Sequence, residues 1–151
     1  WWDVVDDIAT HVVRDLLLGW PEPIATVLRA WSRDDHLWIR RVAMLAQVGA
    51  GARTDPVLLA DVLTPNIGYA GEQVFFSRKA IGWALRDYAW TAPDWVRAYV
   101  ADHPDLSGLS RREALKHLGL AGATPAAATI ADPSSADPVA ATDPAADAPT
   151  T

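Results

Sequence analysis

Cysteine is missing from the sequence altogether, which excludes disulfides and thiolate metal sites. Histidine is sparse. His11, His36, His103 and His117 are the only four, and no two stand at metal-ligand spacing, so a zinc site is not expected. No apolar run approaches the roughly 18 residues a membrane span requires. No basic segment ahead of an apolar stretch marks a secretory signal. An initiator methionine is also absent: the chain opens Trp1-Trp2-Asp3 and reads as a trimmed piece of a longer protein. Glycine-rich phosphate loops, nucleophile elbows and paired-histidine motifs are not found. These absences suit a reducing, cytoplasmic setting.

What is present is enough for one domain with a core, within 151 residues. The net charge of −6 speaks at first against a nucleic-acid partner. The charge is unevenly spread, however. Asp132, Asp137, Asp143 and Asp147 lie beyond Ala121 with no base among them, leaving 13 basic and 15 acidic residues before it. A near-neutral body can still carry a basic face. Beyond about Leu120 the composition collapses to Ala, Pro, Asp, Thr, Ser and Gly, and Pro125, Pro133, Pro138, Pro144 and Pro149 would interrupt any helix. Such a segment buries too little apolar surface to offset its ordering entropy. The expected organisation is a folded domain over 1–120 and a disordered tail over 121–151.

The body reads as all-α. Val5, Ile8, Ala9, Val12, Val13, Leu16 and Leu17 follow helical spacing until Gly19 and Pro21. A short helix follows over Pro23 to Trp31. A third is capped within Ser32 to Asp35 and runs to about Val48, where Gly49 and Gly51 end it. Asp55-Pro56 opens a fourth. A longer one covers roughly Glu72 to Trp90, and Pro93 opens another that ends near His103-Pro104. Ser110-Arg-Arg-Glu113 has the form of a capping box for the last. Helices of this length joined by short turns predict antiparallel pairs. In one array such pairs make an α-solenoid, with a compact bundle as the alternative.

Several residues fall where chemistry is conceivable. Trp2 and Asp6 are four apart and share a face. Trp2 lies just inside the edge of the first helix's apolar stripe, and Asp6 just outside it. An aromatic beside a carboxylate at a rim can hold a cationic or sugar-like group. More commonly Asp3, Asp6 and Asp7 merely complement a helix dipole. On the long helix the core stripe is Val74, Ile81, Ala84, Leu85 and Tyr88. Trp83 points nearly the opposite way, with Phe76, Lys79 and Arg86 on its side. That pattern fits a nucleic-acid surface, or a tryptophan packed on the next helix. Arg41 falls among Leu37, Trp38, Met44, Leu45 and Val48, a costly place for a guanidinium unless it is paired or faces an anion. Its partner is either an aspartate, Asp6 or Asp35, or a phosphate. Arg111 and Arg112, with Lys116, cluster at a helix N-terminus that could receive a phosphate, or form a solvated face.

Four blocks taken together resemble the AlkD-like family of DNA alkylation repair glycosylases. They are Trp1-Trp-Asp-Val-Val-Asp6, Leu37-Trp-Ile-Arg-Arg-Val-Ala43, Phe75-Phe-Ser-Arg-Lys-Ala-Ile-Gly-Trp-Ala-Leu-Arg-Asp-Tyr88 and Leu109-Ser-Arg-Arg-Glu-Ala-Leu-Lys-His117. The resemblance spans nearly all of 1–118. It implies HEAT-like helical pairs in an α-solenoid. It also implies excision of cationic N3- and N7-alkylated purines from duplex DNA without flipping the base into a pocket, unlike the general pattern. Trp2 and Trp83 match the two aromatics that cradle the lesion-bearing sugar, Asp6 the catalytic carboxylate, and Arg41 an arginine that holds the DNA backbone. Lys79, Arg86, Arg111 and Arg112 are the further expected DNA contacts. The implied partner is double-stranded DNA containing alkylated purines, engaged by a monomer in the bacterial cytoplasm without membrane, metal or organic cofactor. The family's chains carry further helices ahead of the Trp-Trp-Asp motif. The competing reading is a non-catalytic HEAT-like module that binds damaged DNA or protein. On the glycosylase reading, Trp2, Asp6, Arg41 and Trp83 converge on one surface with Asp6 between the indoles. A rim position for Asp6 would make Asp6→Asn nearly neutral for stability.

Overall fold

The computed structural model describes residues 1–119, and every regular element among them is helical. The tail expected over 121–151 lies outside the described residues. Helix α1 (Trp2–Asp7) continues through a π-helical stretch (Ile8–Val13) into α2 (Arg14–Gly19). There follow α3 (Pro21–Trp31), α4 (Leu37–Leu45), α5 (Pro56–Leu63), α6 (Val74–Tyr88), α7 (Pro93–Asp102) and α8 (Gly108–Leu115). No helix among the described residues is long and apolar enough to cross a membrane.

Prolines set several of the starts. Pro21, Pro56 and Pro93 occupy first turns, where the missing N–H costs nothing. Asp55 caps α5, its carboxylate accepting from the N–H groups of Val57 at 2.8 Å and Leu58 at 3.2 Å. The turns after α4 end on Gly49, whose φ of +81° suits a residue without Cβ. Its N–H donates to the Asp87 carboxylate at 2.8 Å, which ties that turn to α6.

The packing order explains how distant segments meet. Helices α1, α4, α6 and α8 form one row, each against the next, and α3 packs on α5 in a second row. The rows are joined within sequence-adjacent pairs: α2 with α3, α4 with α5, α6 with α7. This is the stacking of an α-solenoid, in which each pair buries its apolar faces on its neighbours. Leu28, Met44, Leu45, Leu58, Leu59, Leu63, Ile81, Leu85 and Val96 fill the space between the rows and are fully buried.

Three expectations need correction. The first helix buries Asp6, Ala9, Thr10, Val13 and Leu17, while Val4, Ile8, Val12 and Leu16 stay exposed. Its apolar residues wrap more than one face, so periodicity alone could not choose between them. Small Ala9 and Thr10 let α4 approach on the face that also carries Asp6. Second, the last helix begins earlier than the capping box implied. Ser107 is its cap, accepting from Ser110 N–H at 3.0 Å. Ser110 is fully buried and its hydroxyl donates to the Arg78 carbonyl at 2.8 Å. Third, α4 has no capping side chain at His36 and ends at Leu45, short of Val48.

Candidate active site

The α1–α4–α6–α8 row carries a cavity of about 320 Å³ lined by Trp2, Asp6, Arg41, Phe75, Phe76, Lys79, Trp83 and Arg86. Its floor is an ion pair. Arg41 is only 3% exposed. Its Nε donates to Asp6 Oδ1 at 2.6 Å and its Nη2 to Asp6 Oδ2 at 2.7 Å. Nη1 donates to the Phe76 carbonyl at 2.6 Å. The fork-to-carboxylate geometry is the strong, orientation-fixing form of this interaction. The partner of Arg41 is therefore Asp6 and not Asp35, and the guanidinium also joins α1 to the first turn of α6. The Thr10 hydroxyl donates to the Asp6 carbonyl oxygen at 2.8 Å, where the backbone widens to π spacing.

Asp6 is buried, its side chain 11% exposed. That overturns the expectation that Asp6→Asn would be nearly neutral for stability. Removing one partner of a desolvated pair leaves the other uncompensated. The carboxylate nevertheless lines the cavity. An ionised carboxylate has about four lone-pair sites, so engagement by one arginine leaves acceptor capacity for a further donor.

The walls are aromatic. Trp2 is 50% and Phe75 55% exposed, and Trp83 is half-buried against the core. Phe76 contacts Phe75 with ring centroids 5.6 Å apart and Trp38 at 5.1 Å, which supports the wall from behind. Trp83 packs on the array, as one of the two alternatives for its sequence position had it, and it also lines the cavity.

The cationic rim is organised by a residue the sequence reading assigned elsewhere. Lys79 Nζ lies 3.1 Å from Glu113 Oε1, and Arg86 Nη1 donates to Glu113 Oε2. The Lys79 hydrogen bond, with the charges of Arg86, Lys79 and Lys116, holds the Glu113 carboxyl below its ordinary value against the opposing effect of desolvation. Glu113 reaches this position because α8 lies close on α6 at Gly82. A Cβ on Gly82 would stand 2.6 Å from the Glu113 Cβ and 3.2 Å from the Ser110 carbonyl oxygen. A glycine in mid-helix, next to Trp83, was the available signal for this crossing. The local Ser110-to-Glu113 spacing points to a capping box instead.

Of the residues named from the sequence, Trp2, Asp6, Arg41, Lys79, Trp83 and Arg86 share this one cavity. Arg111 and Arg112 do not line it. Arg111 donates to the carbonyls of Val100 at 3.3 Å and His103 at 3.2 Å, closing the C-terminal end of α7. Arg112 is exposed.

Comparison with protein families matches residues 1–118 to the DNA alkylation repair enzyme family. Among solved structures the chain is similar to a predicted DNA alkylation repair enzyme from Enterococcus faecalis, with 30% identity and a TM-score of 0.71. That match covers 80% of this chain and 55% of the other, so the chain spans about half the length of the relative. A comparison with curated proteins gives no match.

Proposed function

Because the chain belongs to the DNA alkylation repair enzyme family, we propose that it is a DNA glycosylase. On this reading it hydrolyses the N-glycosidic bond of cationic N3- and N7-alkylated purines in duplex DNA, without flipping the base. The observation that supports this most is the gathering of two tryptophans, a carboxylate and three cations, from α1, α4 and α6, around one cavity. An alkylated purine already carries positive charge and leaves without strong general-acid help. The remaining demands are an oxocarbenium-like sugar and an incoming water. Asp6 meets both, stabilising the sugar electrostatically and accepting a proton-bearing water on a lone pair not taken by Arg41. Arg41 fixes the carboxylate's direction. The faces of Trp2 and Trp83 add cation–π attraction to the developing charge. Lys79 and Arg86 receive a phosphate beside the lesion. A second carboxylate, as in ordinary glycoside hydrolysis, is not required.

A second reading, a module that binds damaged DNA or protein without chemistry, draws on the bidentate occupation of Asp6 by Arg41. Release of N7-methylguanine from methylated duplex DNA separates the two. The glycosylase reading expects release by the parental protein and its loss in Asp6→Asn, scored on the fraction that remains folded. Base release at the parental rate by Asp6→Asn, or none by the parental protein, would sink it.

A further inference from the structure

We propose that Glu113 is a specificity-determining residue, which trims the charge of the rim so that the site accepts a cationic base beside a phosphate. The inference rests on the glycosylase reading. Four charged groups line the cavity, and a fifth, Glu113, engages two of them. Asp6 and Arg41 pair on the floor and add no net charge there, while the carboxylate keeps acceptor capacity towards the cavity. Lys79 and Arg86 line the cavity, and both engage the one Glu113 carboxylate, which stands behind them. The rim therefore carries two positive charges and one negative, a balance that suits a single phosphate; Lys116 acts on Glu113 through its charge but does not line the cavity.

The proposed substrate makes this balance consequential. Its nucleobase is positively charged, and so is the sugar in the transition state. An uncompensated Lys79–Arg86 pair would attract every duplex through its phosphates, damaged or not. It would also repel a cationic base within a few ångströms, in surroundings where charges are only partly screened. With side chains 40% and 24% exposed, Lys79 and Arg86 line the cavity and remain reachable by a phosphate, whereas Glu113, at 16%, does not line it. Its effect passes through the two cations. The closeness of α8 at Gly82 is what delivers a carboxylate there, and Ser110, one turn earlier, secures the helix to the Arg78 carbonyl.

The test compares two duplexes of one sequence. One is unmodified; the other carries a single N7-methylguanine on a 2′-fluorinated sugar that resists cleavage. Affinity is measured across a salt series. Glu113→Gln is expected to bind the unmodified duplex about three- to tenfold more tightly, with a salt slope steeper by close to one contact. Its preference for the cationic duplex is expected to fall about threefold or more. A folded Glu113→Gln with the parental slope and preference, or with equally weakened binding to both duplexes, overturns the inference. Where Glu113→Gln does not fold, Lys79→Gln decides, since it leaves Arg86 alone against Glu113. It should bind the unmodified duplex more weakly and prefer the cationic one more strongly; an unchanged preference overturns the inference. Base release from an ordinary methylated duplex by the parental protein is scored separately, so failure of the glycosylase reading is distinguishable from failure of the charge balance.

Discussion

The floor and the rim of the cavity set cations against carboxylates in opposite surroundings. On the floor, Arg41 is 3% and Asp6 11% exposed, and each guanidinium nitrogen donates one hydrogen bond. At the rim, Lys79 is 40% and Arg86 24% exposed, and they share Glu113. Two desolvated ions cannot be separated without leaving a charge stranded, so the floor pair is bound to the stability of the fold. Rim ions can trade partners with solvent, salt or an arriving phosphate at small cost. One cavity thus combines a rigidly held carboxylate with an adjustable cationic border, and substitutions in the two places should behave differently.

The largest expected effect is at the floor. Arg41→Met strands Asp6 and should cost about 3–5 kcal/mol, read by denaturant unfolding. Adding Asp6→Asn to it should restore part of that loss, because the uncompensated charge is gone. A double-mutant cycle in which the two changes simply add would break the contrast between floor and rim. Next is the crossing that builds the rim. Gly82→Ala places a methyl 2.6 Å from the Glu113 Cβ, an atom held close to the α8 backbone. It should cost about 1–3 kcal/mol in melting experiments, as overpacking does. It should also weaken the hold of Glu113 on Lys79 and Arg86. Unchanged stability would mean that α8 shifts freely on α6.

Much of this was legible in the sequence, for reasons tied to particular residues. Prolines at 56 and 93 and the Asp55 cap act locally, and their helices start where they indicate, whereas Pro21, expected to close the first helix, opens α3 two residues ahead of the expected start at Pro23. Arg41 amid apolar neighbours announced that a partner had to exist, because a lone buried guanidinium is too costly. Trp83, Lys79 and Arg86 were aligned by helical spacing, and the cavity gathers them. What escaped depended on contacts between helices. The first helix is apolar on overlapping faces, and only its neighbour decides that Asp6 faces inward. Glu113 satisfied a local capping pattern, yet a close crossing at Gly82 turns it toward two cations on another helix. Arg111 looked available for phosphate but is held by two carbonyls at the end of α7. Spacing within a helix reports which residues share a side; it does not report what stands opposite.

The smallest expected effect, and the one that isolates the rim, is acid sensitivity. Glu113 has its carboxyl held below the ordinary value of 4.5, chiefly by the Lys79 hydrogen bond, with Arg86, Lys79 and Lys116 adding charge. A depressed folded-state value means that the unfolded chain takes up the proton first as pH falls. The rim's contribution to stability is therefore complete above pH 4.5 and shrinks as pH drops from there through the depressed value. For a cluster reached by solvent it should amount to on the order of 1 kcal/mol or less. Unfolding measured between neutral pH and mild acid should carry this component in the parental protein and lose it in Glu113→Gln, whose amide does not titrate. The difference should also diminish at high salt, because Lys79 and Arg86 are open to counterions. Identical acid dependence in the two proteins would show that Glu113 gains nothing from its cations. The contrast between a fixed floor and an adjustable rim would then have to rest on exposure alone.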